Sequence, residues 1–278
     1  KVCAKADDFE KVGNVCMSGG RVTIIEYSDL DAATASRRTP EGRRIAHRLV
    51  EKSDVLVENF RPGVMKRFGL DYAALKDRFP GLIYCSISAY GQESQRGGMD
   101  SVVQAESGLM SITGEPEGGP MLHGIPIVDT ITGVYAASAI LAAVVARTRS
   151  EKGQYLDLAM FDIALAAAGQ AAQYYLTSGR NPERYGNGST QAAPVGVYGP
   201  KSGYIRLLCV TDKMYHRLCR DVLRRPELMQ DPRFLTNASR LAHKAELKEI
   251  LDAAFAGDTR ERWIENINAA GLTAGEEK

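Results

Sequence analysis

Short apolar strands that alternate with helical segments are the feature that most constrains this chain. VLVENF (55–60) and LIYCSIS (82–88) are runs of branched and aromatic residues of strand length. Residues 39–54 carry apolar side chains at helical spacing, and residues 101–114 form a helical, small-residue segment. Strands that alternate with helices pair in parallel and are covered by those helices. The sequence therefore predicts an α/β fold with a mainly parallel sheet.

The pattern changes near residue 180. A glycine-bearing loop at 186–188 is followed by a predicted β-hairpin with arms near Val195–Tyr198 and Tyr204–Val210. From Lys213 onward the chain is mostly helical in pattern. We predict a large α/β domain over 1–189, in which residues 1–38 are atypical, and a smaller α+β domain over 190–278.

Composition argues against several classes of function. The 278 residues include 35 basic and 34 acidic side chains, so the balance predicts neither a nucleic-acid nor a membrane partner. Five separated cysteines, none in a C-x-x-C pair, favour a reducing cytoplasm over a disulfide framework. Four histidines without ligand spacing predict no metal site. The longest apolar run, Val134 to Ala146, is shorter than the roughly 18 residues of a membrane span, and the start has no signal-peptide pattern.

The stretch GIPIVDTITGVYAASAILAAVVA (124–146) is the strongest candidate for chemistry. Its branched residues Ile125–Val128 predict a strand that stops at Asp129, and a long helix with Gly133 near its start follows. A carboxylate at such a junction faces unpaired N–H groups and the positive end of the helix dipole, which we expect to hold it ionised and fixed. Asp129 is therefore a candidate nucleophile. The alternative, that Asp129 is only a helix N-cap, stays open on position alone.

Several blocks of the sequence together resemble the class III CoA-transferase family, which includes formyl-CoA transferase and carnitine CoA-transferase. The resemblance covers about residues 39–275 and implies a nucleotide-binding-like parallel sheet domain followed by a smaller domain. ENFRPGVM and GIPIVDTITG are its most specific blocks. The blocks that carry it are TPEGR (39–43), SDVLVENFRPGVMKRFGL (53–70), LIYCSISAYGQ (82–92), GGMDSVVQAESGLMSITGE (97–115), GIPIVDTITGVYAA (124–137) and the DPRF–HKAEL run (231–247).

The resemblance implies a role for each matching position. The nucleophilic aspartate of the family falls on Asp129, and a glycine loop that closes over the acyl group falls on Gly186 and Gly188. Without the resemblance, Asn59 reads as a cap of the turn before Pro62, and the arginines nearby read as solvated charges. The positions implied in binding CoA are Asn59, Phe60, Arg61, Arg67, Gly97, Gly98, Met99 and Asp100.

The activity that the resemblance implies is CoA transfer from an acyl-CoA to a carboxylic acid acceptor through a covalent aspartyl-CoA thioester. It needs coenzyme A as part of the substrate and neither a metal nor a redox cofactor, and it implies an interlocked homodimer in the cytoplasm. The sequence does not identify the donor or the acceptor acid.

Two alternatives stay open. One is an isomerase like the α-methylacyl-CoA racemases, whose proton-carrying histidine falls on Met99, a residue that carries no proton. The other is an inactive fragment of the family, because residues 1–38 do not match the family's opening and its closing segment has no counterpart here.

Overall fold

The structure is a computed structural model that describes residues 12–17, 20–26 and 40–277. Most of the atypical start, 1–38, lies outside the described residues. The chain divides into two compact units, one formed by residues up to 111 together with 121–182, the other by 112–120 and the residues from 183 onward. The predicted domain boundary at residue 189 stays a prediction.

A five-stranded sheet forms the centre of the first unit. Its strands follow one another in chain order, and every neighbouring pair except β1 and β2 is parallel. The mainly parallel sheet predicted from the sequence is therefore confirmed. Because the strands are parallel, the chain leaves β3 and β4 at the same edge of the sheet. The strands are β1 (Val12–Met17), β2 (Gly20–Glu26), β3 (Val55–Glu58), β4 (Ile83–Ser88) and β5 (Tyr155–Ala159).

Helices cover both faces of this sheet. Leu56 and Tyr84 point to the face that packs against the first three helices, whereas Ile83 and Cys85 point to the opposite face. This alternation follows from the two-residue period of a strand. The helices of the first unit are α1 (Pro40–Glu51), α2 (Val64–Arg67), α3 (Tyr72–Leu75), α4 (Asp100–Glu106), α5 (Leu109–Ile112, whose last residue belongs to the second unit), α6 (Ile127–Ser150), α7 (Met160–Ala167) and α8 (Gly169–Ser178).

Helix α6 begins earlier than the sequence predicts, and the strand predicted over Ile125–Val128 is wrong. Pro126 is the N-cap, and its carbonyl accepts hydrogen bonds from the backbone N–H and the hydroxyl of Thr130. A short apolar run of branched residues fits a buried helix start as well as a strand. Asp129 is consequently the third residue of the helix and is neither at a strand end nor the N-cap.

Helix α6 is longer than the apolar run Val134 to Ala146 that the sequence shows. With 24 residues and a mean hydropathy of 1.8 over its most apolar window, it is long and apolar enough to cross a membrane by those two criteria alone. One face of the helix is nevertheless buried, at Val128, Thr132, Ala136 and Ile140. Ala136 and Ile140 pack against β3 and β4, as the core helix of an α/β unit does.

The second unit pairs an antiparallel sheet with a helical cluster. Strand β6 pairs with β7, which confirms the predicted hairpin, and β7 pairs with β8. One core joins the sheet to the helices and includes Leu207, Tyr215 and Phe255. The elements are β6 (Val195–Tyr198), β7 (Tyr204–Leu208), β8 (Thr273–Glu277), α9 (Asp212–Arg217), α10 (Asn237–Ala242), α11 (Lys244–Phe255), α12 (Arg260–Ala269), a π-helical turn (Leu218–Val222) and a 3₁₀ turn (Pro226–Met229).

A fully buried arginine, Arg240, holds this core together. Its guanidinium donates to the carbonyls of Ala193 (2.6 Å) and Phe234 (3.1 Å) and to the Asp212 carboxylate (2.6 Å), and it lies over the ring of Tyr215. A buried charge is tolerated only when it is paired and hydrogen-bonded. Arg240 therefore ties the entry of β6 and the start of α9 to one point.

We expect Arg240→Met to lower the free energy of unfolding of the second unit by about 2–4 kcal/mol, because two carbonyls lose their donors. Urea unfolding, followed by the fluorescence of Trp263, the single tryptophan, measures the stability of this unit. Arg262→Met is the matched control, since Arg262 is 70% exposed, and its pair with Asp258 should contribute less than about 1 kcal/mol. Equal losses in the two variants would contradict a special role for Arg240.

Candidate active site

Asp129 lies in the first turn of α6 and lines an open cavity of about 600 Å³. The Asp129 side chain is exposed to solvent. Four of the predicted CoA-binding residues line the same cavity: Asn59 at the end of β3 and Gly98, Met99 and Asp100 at the start of α4. The structure therefore brings together segments that lie up to 70 positions apart in the sequence.

A hydrogen bond joins the two helix starts. The backbone N–H of Asp129 donates to the Asp100 carboxylate over 3.0 Å. This N–H is one of the first four of its helix and has no acceptor within the helix. Asp100, the first residue of α4, supplies the acceptor from outside and so fixes the turn that carries Asp129.

Gln104 connects Asp100 to the segment that precedes α6. The residue is 1% exposed, and its amide nitrogen donates to the second oxygen of Asp100. Its amide oxygen accepts the backbone N–H of His123 over 3.1 Å. One buried carboxamide thus links the segment that precedes α6 to the carboxylate that holds Asp129.

The electrostatics of Asp129 differ from the sequence expectation. Partial desolvation raises the pKa of its carboxyl, and the negative charge of Asp100 raises it further. Both effects act against the stabilisation expected from the helix dipole. The site therefore raises the pKa of Asp129, whereas the position at a helix start alone predicts a lowered pKa.

The turn that carries Asn59, Phe60 and Arg61 is held by Glu58. This carboxylate is 3% exposed and accepts the backbone N–H of Phe60 over 2.8 Å and the hydroxyl of Ser86. Burial raises the pKa of Glu58, although the two hydrogen bonds partly oppose that shift. A comparable contact holds the loop after β4, where the backbone N–H of Gln92 donates to a carboxylate on β5, Asp157.

The remaining predicted CoA-binding residues do not line the cavity of Asp129. Arg61 is exposed and lines a neighbouring cavity of about 310 Å³, and Arg67 is exposed at the end of α2. Phe60 packs against the core under α1–α3. A side chain at Gly97 would come within 3.0 Å of the Arg61 guanidinium, so glycine leaves that group its space.

The two glycines predicted to close over the acyl group belong to the second unit. Gly186 has a positive φ of 53° and lies against the Glu115 carboxylate, where a β-carbon would come within 2.6 Å of an oxygen. Gly188 lines a separate cavity of about 280 Å³ within that unit. Their role in acyl binding stays a prediction.

Sequence reasoning missed Glu58, Gln104 and His123. Glu58 stands inside the ENFRPG block, so the block itself could have indicated it. Gln104 lies in the 97–115 block, four residues after Asp100, so that block could have indicated it. Its contact with His123 spans 19 residues, for which one sequence gives no signal.

The family model of CoA-transferase family III matches residues 37–277. The chain belongs to CoA-transferase family III. The match includes every predicted site residue, and it confirms the resemblance carried by the ENFRPGVM and GIPIVDTITG blocks.

Named relatives and solved structures agree with this assignment. This family III chain is 40% identical over 220 residues to a succinate–glutarate CoA-transferase of Agrobacterium fabrum, covering 78% of this chain and 55% of that protein. It is 38% identical over 237 residues to an acetyl-CoA:oxalate CoA-transferase of Acetobacter aceti, covering 84% and 61%. A crystal structure of a CaiB/BaiF family protein from Brucella suis superposes with a TM-score of 0.79 at 36% identity, covering 87% and 65%. The chain therefore has the predicted fold and spans less than two thirds of the length of each of these relatives.

We expect Asp129→Asn to raise the melting temperature at pH 7 by about 1–2 °C. A carboxyl whose pKa is raised by folding costs stability when it is ionised, and this cost disappears as pH falls toward the ordinary aspartate value of about 3.9. The gain should therefore shrink between neutral pH and about pH 4, as measured by circular dichroism.

Asp162→Asn is the matched control for this substitution. Asp162 is the exposed third residue of α7, the position that Asp129 has in α6. A carboxylate in the first turn of a helix favours folding, so the control should not gain stability. A gain of the same size in both variants would contradict the repulsion between Asp100 and Asp129.

Proposed function

We propose that this protein transfers coenzyme A from an acyl-CoA to a carboxylic acid, with Asp129 as the nucleophile. The observation that carries the proposal is the Asp129 carboxylate itself, exposed in an open cavity while its backbone is fixed by Asp100. A nucleophile needs access to the substrate and a fixed direction of attack, and this arrangement supplies both. Membership of the family supports the same conclusion.

The donor half-reaction follows from carboxylate chemistry. An oxygen of Asp129 attacks the thioester carbonyl, the carbon–sulfur bond breaks, and CoA leaves as a thiolate. The product is a mixed anhydride of Asp129 and the donor acid. The thiolate then attacks the Asp129 carbonyl of the anhydride and expels the donor acid as a carboxylate. Asp129 is left as an aspartyl-CoA thioester, so the thioester energy is kept.

The acceptor half-reaction reverses these steps with the second acid. Its carboxylate attacks the aspartyl thioester and expels the thiolate. The thiolate attacks the acceptor acyl carbon of the new anhydride, and the Asp129 carboxylate leaves. Carboxylates and thiolates exchange throughout, and no proton has to move.

The surrounding residues supply binding and polarisation. The Asn59 carboxamide lines the Asp129 cavity and offers N–H donors to the thioester oxygen, where negative charge develops. Arg61 is exposed on the turn that Asn59 begins, and its guanidinium suits the CoA diphosphate. Both roles agree with the ENFRPG block predicted to bind CoA.

We favour a small dicarboxylic acid among the acceptors. Relatives that this chain matches at 38–40% identity are named for succinate and glutarate and for oxalate. The Asp129 cavity combines polar groups with exposed apolar side chains, which suits an acid with a short methylene chain.

A homodimer is part of the same proposal. Helix α6 leaves Val134 (62%) and Val145 (53%) exposed, and α8 leaves Leu176 (77%) exposed and has no buried residue. Exposed apolar patches of this kind are typical of association surfaces. The interlocked dimer implied by the family resemblance would cover them.

The central test is to trap the covalent intermediate. After incubation with succinyl-CoA, borohydride or hydroxylamine should convert Asp129 into the derivative expected of an activated aspartyl group, which mass spectrometry locates. Asp129→Ala should lose the label completely, because it removes the proposed nucleophile.

Asp162→Ala controls for nonspecific labelling, since Asp162 is also an exposed first-turn aspartate. Folded protein that binds CoA but gives no label at Asp129 would overturn the proposed mechanism in this chain and favour the inactive fragment. Label that survives in Asp129→Ala would also overturn it.

A second test concerns the charge of Asp100. Because this charge raises the pKa of Asp129, Asp100→Asn should move the acidic limb of the label-formation rate to lower pH. The nucleophile must be ionised, so the rate of the wild type falls as pH drops through the raised pKa. The rate is measured by quenched-flow mass spectrometry from pH 4 to 8. An unmoved limb, or a limb displaced to higher pH, would contradict the electrostatic role of Asp100.

A further inference from the structure

The Asp129 cavity has an unusual charge composition for a site that receives acids. Two carboxylates, Asp100 and Asp129, line it. Among its described lining residues there is no lysine or arginine, and His123 is the only side chain able to carry a positive charge. An incoming dicarboxylate adds two negative charges to this cavity, so a cationic partner for the acid is required.

His123 is held in place by the network that holds Asp129. Its backbone N–H donates to Gln104, Gln104 donates to Asp100, and Asp100 accepts the N–H of Asp129. Gln104 is buried, so this link is protected from water. His123 and Asp129 therefore line one cavity from segments that these hydrogen bonds join.

The reaction steps favour a binding role for this histidine over a proton-transfer role. Carboxylates and thiolates are exchanged without proton transfer, so no general base is required. An imidazolium offers two N–H donors and a positive charge, which suit a carboxylate. Beside it, the exposed side chains of Leu122 and Ile125 line the cavity and suit methylene groups.

We propose that the His123 side chain binds the non-reacting carboxylate of a dicarboxylic acid acceptor through its ring N–H while the other carboxylate attacks at Asp129. The inference rests on the proposed function and adds the residue that selects dicarboxylic over monocarboxylic acids. The methylene chain of the acid lies along Leu122 and Ile125.

The test compares glutarate with valerate, which has the same chain length and one carboxylate. With the full chain and succinyl-CoA, His123→Gln should raise the KM for glutarate about tenfold, as expected for one lost charge-assisted hydrogen bond. The KM for valerate and the kcat with either acid should stay within about twofold. His216→Gln, at an exposed histidine of the second unit, is the matched control and should change neither KM.

A binding measurement tests the role of His123 without requiring the enzyme to turn over. In protein labelled with ¹⁵N-histidine, glutarate should shift the imidazole resonances that disappear in His123→Gln, and valerate should shift them much less. His123→Arg, which keeps a positive charge, should restore glutarate binding to within about threefold of the wild type.

The outcomes separate the two claims. Label at Asp129 with no selective effect of His123→Gln on glutarate would overturn the inference alone. Absence of label at Asp129, with glutarate still shifting His123, would overturn the proposed mechanism and support the carboxylate site. Equal changes for glutarate and valerate, or no glutarate shift at His123, would overturn the inference in either case.

Discussion

The candidate site depends on one hydrogen bond, from the backbone N–H of Asp129 to the carboxylate of Asp100. It fixes the first turn of α6 against the first turn of α4, and so determines the position of Asp129, the proposed nucleophile. It also places two carboxylates close together, which raises the pKa of Asp129. Each carboxylate lies at a helix start, and the positive ends of the two helices offset part of the repulsion. The contact that fixes the position of the proposed nucleophile therefore also makes its ionisation harder.

Carboxylates also organise the edge of the sheet where the chain leaves β3 and β4. Glu58 ends β3 and binds the N–H of Phe60, and Asp157 on β5 binds the N–H of Gln92 after β4. In both places an acidic side chain on a strand fixes a loop through a backbone donor. The loops therefore leave a parallel sheet in defined directions, as the carboxyl ends of such sheets require for ligand binding. Burial of Glu58 within this arrangement explains why its pKa is raised.

Much of the fold could be predicted from local pattern, because β3 and β4 are short, mainly apolar segments of strand length and α1 shows helical spacing. The start of α6 could not be predicted in this way. Ile125, Ile127 and Val128 are branched residues that suit a strand, whereas in the structure Pro126 is the N-cap of a helix and accepts a hydrogen bond from its first turn. The site residues that lie in the family's blocks could be predicted. The hydrogen bonds from His123 to Gln104 and from Asp129 to Asp100 could not, since they join residues 19 and 29 positions apart. These contacts became visible only once the fold had placed α4 beside α6.

The division of the chain into two units has a consequence for the chemistry. Asp129 and every residue described as lining its cavity belong to the first unit, whereas Gly186 and Gly188 belong to the second. In the proposed mechanism, the groups assigned to the attack on the thioester, Asp129 and Asn59, both lie in the first unit. The predicted closure of Gly186 and Gly188 over the acyl group would be a separate contribution, to water exclusion and selectivity. The proposed covalent step and the predicted closure can therefore be tested separately in this chain.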